Sequence, residues 1–276
     1  MGNSLQIIIV LYKARLEDCE SYRTLMRNVG RLCVSWHLML YNNSADIQIP
    51  QGDYKLIVPA ENRMLAGAYN EALNESRLNN CEWLLLLDQD TQITESYIDS
   101  LNHFFMSGAM VAVAFPILEN NGLHLSPHTY CLPLGPWFFM KKLNNHGVVE
   151  GCVSAFNSAS LFSVSEIEKI GGFPNEFPLD MLDTCVFYRL SKKKKSFFVL
   201  NSVLQHDLSV LDYASKMNKN RYLSLVRAEK RMAVQMGIVA CVALKIRLFL
   251  RFVKQLLVPS KRPYSLCTLK AFFSRL

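Results

Sequence analysis

The chain has 276 residues, half of them apolar, and a formal net charge of +7. This composition excludes wholesale disorder, and the length suits one large α/β domain with a tail, or two small domains. The charge is uneven: residues 216–276 hold 14 Lys and Arg against a single acid, Glu229, which points that end of the chain toward an anionic surface. Residues 6–11 are apolar and β-branched and read as a central strand. A helix is expected over 18–31. A second strand over 34–41 ends in the turn signal Asn42-Asn43-Ser44, and a short third strand covers 54–58. A helix over 65–78 leads to a fourth strand at 84–87. Another helix, with Thr94 as N-cap, spans 94–106, and a fifth strand at 110–115 is closed by Pro116. Residues 117–150, rich in Gly, Pro, His and Asn, read as a long loop or a small β excursion. The apolar pattern resumes at 154–163. Short helices at 165–170 and 182–190 and a strand at 197–200 follow. Strand and helix alternate, which predicts a mostly parallel, doubly wound α/β sheet.

The eight cysteines form no C-x-x-C pair and no zinc-spaced cluster. With no basic stretch ahead of the first strand, they read as reduced thiols of a cytoplasmic protein. There is no G-x-G-x-x-G and no P-loop, and no Ser-His-Asp or Cys-His arrangement has local support. The chemistry therefore rests on carboxylates. The apolar run 83–87 breaks off into Asp88-Gln89-Asp90-Thr91. Two hard oxygen ligands at a strand end suit Mg²⁺ or Mn²⁺ carrying a diphosphate; equally, Asp88 caps a helix and Asp90 is solvated. Asp180 and Asp183, three residues apart before a helix, are either a general base and its neighbour or acids matched to the helix dipole. His206, after a strand-like run, is a ligand or phosphate contact if it reaches the same edge.

Taken together, these segments resemble the family 2 glycosyltransferases of the GT-A fold, in particular the bacterial rhamnosyltransferase-like branch. The resemblance spans about residues 5–210. Residues 8–12 look like the family's opening strand, and Tyr41-Asn42-Asn43-Ser44 is similar to its Asp-Asn-Ser turn, with Asn42 where Asp is usual. Residues 62–70 look like its Asn-x-Gly-(Ile/Leu)-Ala-Gly-Ala-x-Asn segment, with Met64 replacing Gly. Leu87-Asp88-Gln89-Asp90-Thr91 is similar to its Leu-Asp-Gln-Asp-Ser, and residues 157–161 stand at its Ser-Ser-Gly-x-Leu. Residues 179–184 with Arg189 resemble its Ile-Asp-x-Val-Asp-Thr…Arg, and Leu204-Gln205-His206 its later x-x-His.

The resemblance implies inverting transfer of a sugar, with rhamnose favoured over other hexoses. It implies a nucleotide-diphospho-sugar donor. Membrane contact by the basic tail would fit a lipid-diphosphate-linked glycan acceptor, as in O-antigen or capsule synthesis. The resemblance also implies Mg²⁺ or Mn²⁺ at Asp90 with Asp88 and His206, and a base at Asp180 with Asp183 second or orienting Arg189. Tyr12, Asn42, Asn62, Asn70 and Asp88 would form the nucleotide pocket.

The catalytic domain is expected over 1–215 and a basic amphipathic helical region over 216–276. In the latter, 221–258 read as one or two helices. The apolar stretch 233–244 is too short to span a bilayer. Leu248, Phe249, Phe252 and Leu256 fall on one helical face, and Arg247, Arg251 and Lys254 on another. That pattern suits a helix lying on an anionic membrane, or one packed on the catalytic domain with a solvated basic face; the first predicts a cytoplasmic protein peripheral on the inner face of the cell membrane, with no nucleic-acid partner.

Overall fold

The computed structural model describes residues 4–206 and 218–274. They divide into two compact units, residues 4–128 with 142–206, and residues 129–141 with 218–274. The boundary expected between 215 and 216 lies outside the described residues.

The first unit is built on a nine-stranded sheet. Its strands are β1 (Ser4–Leu11), β2 (Ser35–Asn42), β3 (Lys55–Ile57), β4 (Trp83–Asp88), β5 (Val113–Asn120), β6 (Leu123–Ser126), β7 (Gly147–Val149), β8 (Ser160–Ser163) and β9 (Phe197–Gln205). They lie in the order β3-β2-β1-β4-β8-β5-β9-β7, with β6 paired to β5. The pairs β1–β2, β2–β3, β1–β4 and β5–β9 are parallel; β8 is antiparallel to both β4 and β5. Helices α1 (Glu20–Asn28), α2 (Met64–Leu78), α3 (Glu95–Ser107), α4 (Val164–Lys169) and α5 (Leu182–Lys192) connect and cover the strands.

β1 is buried on both faces, which is why its sequence reads as an unbroken apolar run rather than an alternation. Leu5, Ile7, Ile9 and Leu11 join Leu85 and Leu87 of β4 and Tyr97, Leu101 and Phe104 of α3 in one core. On α2, Tyr69 packs edge-on against Phe173, and Phe173 in turn meets Phe162 of β8.

β5 does not end at Pro116 as expected. It continues to Asn120. The missing N–H falls where β9 bulges between Val199 and Val203, and β8 pairs only with Val113 and Ala114, so no ladder bond is lost there. Asn121-Gly122, both at positive φ, then turns the chain into β6, making the start of the expected loop a hairpin.

In the second unit, α6 (Lys219–Met236) and α7 (Ile238–Leu257) meet at Gly237, whose φ of +110° favours glycine, and α8 (Ser265–Phe273) follows. The faces of α7 are not disposed as the sequence suggests. Arg251 forms a two-point ion pair with buried Glu229 at 2.6 and 2.8 Å, and Arg247 donates to the Trp137 carbonyl at 2.8 Å. Leu248 is buried, whereas Phe249 and Leu256 are exposed. No helix among the described residues is long and apolar enough to cross a membrane.

Candidate active site

Because β8 is antiparallel to both neighbours, β5 and β9 run in the same direction as β1–β4. The carboxyl ends of these strands therefore share one edge, where ligands bind in open α/β sheets. Tyr12, Asn42, Asp88 and His206 all sit there. In the ladder, Leu11 stands opposite Asn42 and Val10 opposite Asp88, so the two flank the end of β1.

The turn after β4 is braced from several sides. The Ser21 hydroxyl contacts the carbonyls of Asp88 and Thr91 and accepts the Thr91 N–H at 3.1 Å. Gln89 Oε1 accepts the Tyr12 N–H at 2.8 Å, tying the ends of β1 and β4 together. Cys19 Sγ donates to the Gln89 carbonyl at 3.4 Å, and burial pushes this thiol up to about 11, so it stays protonated. Thr91 Oγ1 and Ser158 Oγ are 2.7 Å apart. Asp88 is left half-buried and Asp90 exposed.

Burial raises the Asp88 carboxyl, with Asp90 adding to the rise and His206 and the Ser158 hydroxyl opposing it. Burial likewise pushes Asp183, in the first turn of α5, up to about 6; the Thr184 N–H, donating at 2.7 Å, opposes the shift and Asp180 adds to it. The buried Tyr69 phenol is raised by burial and by the charges of both Asp88 and Asp183. The field at Tyr69 thus joins the strand-end carboxylate to the α5 carboxylate. Asp180 is buried two residues before α5.

The amides expected in a nucleotide pocket each make hydrogen bonds within the protein. Asn42 is buried and closes its own loop, donating to the Ile47 carbonyl at 2.7 Å and accepting the Ser44 N–H at 3.0 Å. Asn62 is exposed and accepts the Met64 N–H at 2.8 Å. Asn70 holds the Phe173 backbone. Tyr12 is exposed at the edge, with the Lys13 ammonium over its ring. Arg189 pairs with Glu176 at 2.6 Å, not with Asp183. Gln89, Tyr69, Ser21 and Ser158 are not assigned site roles from sequence; Gln89, Tyr69 and Ser158 lie inside segments that carry the resemblance, whereas Ser21 carries no signal.

Among the described residues no group of three or more His, Cys, Asp or Glu is arranged to hold a metal ion, so Asp88, Asp90 and His206 are not a closed cage. They still fit a divalent ion that takes one or two carboxylates and completes its shell with phosphate oxygens and water. Asp88 carries a charge disfavoured by burial, and buried His206 Nδ1 has no partner among the described residues. A separate cavity of about 910 Å³, lined by Arg15, Tyr22, Arg23, Met26, Asp46 and Gln48 among others, contains none of these groups.

No family model matches the chain, and no curated protein matches it by sequence. Solved structures do. GalNAc-T7 with UDP, GalNAc and Mn²⁺ is similar at a TM-score of 0.56 and 10% identity, over 89% of this chain and 54% of that one. S. aureus TarS 1–349 with UDP-GlcNAc is similar at 0.55 and 12%, over 99% and 80%. Without that ligand, TarS 1–349 scores 0.53 at 11% identity, over 90% and 70%. At such identities the likeness is one of fold: the chain has the mixed α/β architecture of the GT-A glycosyltransferases.

Proposed function

We propose that the chain is an inverting glycosyltransferase. It moves a sugar from a nucleotide-diphospho-sugar to a hydroxyl of a lipid-diphosphate-linked glycan at the inner face of the cell membrane. The reading is supported by one observation: Asp88 and His206 end parallel strands at the carboxyl edge of a sheet with GT-A architecture, and the charge of Asp183, in the first turn of α5, acts on the same Tyr69 phenol as that of Asp88. Asp183 takes the acceptor proton as that oxygen bonds to the anomeric carbon. The bond from that carbon to the diphosphate breaks, and the electron pair leaves with the diphosphate. Asp183 replaces Asp180 as the preferred base because its carboxyl, held near 6, is ionised at neutral pH yet more basic than a solvated carboxylate. Asp180 then acts on Asp183 through its charge. Asp88, Asp90 and His206 would hold Mg²⁺ or Mn²⁺, which when bound offsets charge on the departing diphosphate.

Rhamnose is the first donor sugar to test, with hexoses next, and an O-antigen or capsule unit is the acceptor. A second reading, a glycosyltransferase-like binding protein with a degraded site, draws support from Asn42, whose amide is engaged within its own loop.

The test is thermal stabilisation of the full chain by dTDP-rhamnose, UDP-glucose, UDP-galactose, UDP-N-acetylglucosamine and GDP-mannose, each with Mn²⁺ or with EDTA. A donor at a hundredfold its Kd adds about 2.7 kcal/mol. A metal-dependent shift with one donor, abolished by Asp90→Ala, supports the transferase. No shift with any donor favours the binding protein.

A further inference from the structure

Helix α7 carries an apolar stripe on its solvent side. Val239, Val242, Ile246, Leu250, Val253 and Leu257 recur at three- and four-residue intervals, and each is at least 40% exposed. At 1.5 Å per residue the stripe runs for about 27 Å. A continuous band of this kind marks an interaction surface, unlike scattered surface hydrophobes. Ala240, Ala243, Leu244 and Leu248 are buried, and α7 packs against α6 and α8. The helix is therefore apolar on two sides, and only one of them is covered within its unit.

Charge identifies what covers the other. By helical geometry Lys245 and Lys254 lie on the two flanks of the stripe, roughly a quarter turn from Ile246. Arg262 and Lys270 are exposed beyond it. The single acid, Glu229, is buried in its pair with Arg251. The exposed charged side chains among residues 218–274 are thus all cationic. A second copy docking stripe to stripe would set these cations against their own kind. Anionic headgroups complement them, while the lysine stems follow the apolar surface.

We propose that α7 lies in the plane of an anionic bilayer, with the stripe from Val239 to Leu257 immersed below the headgroups and Lys245 and Lys254 among them. This assigns the immersed face to residues other than the Leu248-centred face that periodicity alone selects. It also stands without the transferase reading, because binding is measured with no donor or acceptor present.

The experiment is co-sedimentation of the full chain with phosphatidylcholine vesicles, with and without phosphatidylglycerol. Binding to the anionic vesicles is expected, weakened by salt. Ile246→Glu with Val253→Glu is expected to reduce it by about tenfold or more at an unchanged melting temperature. Lys254→Glu tests the flank without touching the stripe, and is expected to weaken binding to anionic but not neutral vesicles. Binding by the Ile246/Val253 variant equal to that of the unaltered chain overturns the proposal. So does a stable dimer in solution that the same substitutions dissociate, because a second copy then covers the stripe.

Discussion

The Asn70 side chain clamps the backbone of Phe173 at two points, accepting its N–H at 2.9 Å and donating to its carbonyl at 2.8 Å. A few residues on, the Pro178 carbonyl accepts the N–H groups of both Leu65 and Ala66 at 3.0 Å, in the first turn of α2. The loop leading to Asp180 and Asp183 is thus fastened to α2 at its middle and its start. Asn70→Ala leaves two backbone groups of Phe173 unpaired and is expected to cost about 1–3 kcal/mol of stability. If the clamp acts only by positioning the loop, kcat should fall more than donor affinity, whereas an Asn70 that also contacts the donor should lose both. Gly172 makes the clamp possible: its φ is +80°, and a Cβ there would stand 2.8 Å from Asn70 Oδ1. Gly172→Ala should therefore also destabilise, and the double variant should lose less than the sum of the two. Thermal melts of the three variants, with kcat and donor Kd, check this.

Asp183 offers a test in which stability and activity move apart. Its folded pKa, about 6, lies above the unfolded value of 3.8, so folding favours the protonated form. The stability this supplies is complete below the unfolded pKa and is lost as pH rises through about 6. Asp183→Asn removes the buried charge and should not lower the melting temperature at pH 7.5. Turnover should nevertheless fall by about 10²–10⁴, with donor affinity retained. In the unaltered chain, kcat should rise with pH up to about 6 and then level off. If instead Asp180→Asn is inactive and Asp183→Asn turns over, Asp180 is the base.

The parts of this molecule legible in its sequence are those where local pattern and tertiary role coincide. β1 and β4 are buried on both faces, so they read as apolar runs whatever surrounds them. Thr94 is visible as a cap because its hydroxyl accepts the Tyr97 N–H only three residues away. β5 misleads because the bulge that accommodates Pro116 lies on another strand. At the site the carboxylates are legible by type, but Gln89 looks like a spacer between them. Its partner, Tyr12, is 77 residues away. Asn42, Asn62 and Asn70 bond to backbone as well, and those bonds are not legible in composition. Periodicity likewise divides α7 into faces without saying which one is inside.

The metal reading predicts a split between the two strand-end acids. Asp90 is exposed and adds to the rise of the Asp88 carboxyl. Asp90→Ala should therefore leave the fold intact and shift Asp88 back toward its ordinary range. Mn²⁺ affinity in the presence of a nucleoside diphosphate should fall about tenfold or more, as expected for the loss of one charged ligand. Titration followed by Mn²⁺ electron paramagnetic resonance reads this without turnover. Unchanged Mn²⁺ affinity would remove Asp90 from the ligand set.

The ion pair between Glu229 and Arg251 makes a prediction about the helical unit alone. Both carboxylate oxygens are used, at 2.6 and 2.8 Å, and the side chains are only 5% and 17% exposed. The carboxylate raises the guanidinium pKa against the opposing effect of burial, so Arg251 stays charged. Glu229→Gln strands that charge away from water and is expected to cost about 3–5 kcal/mol. The paired replacement Glu229→Leu with Arg251→Met removes both charges at similar volume and should be close to neutral. Urea unfolding of the full chain, followed by far-ultraviolet circular dichroism, compares them. If Glu229→Gln costs no more than the paired variant, the ion pair is not needed to hold α6 against α7. In that event, apolar contacts such as those of buried Met232 and Leu248 carry the packing.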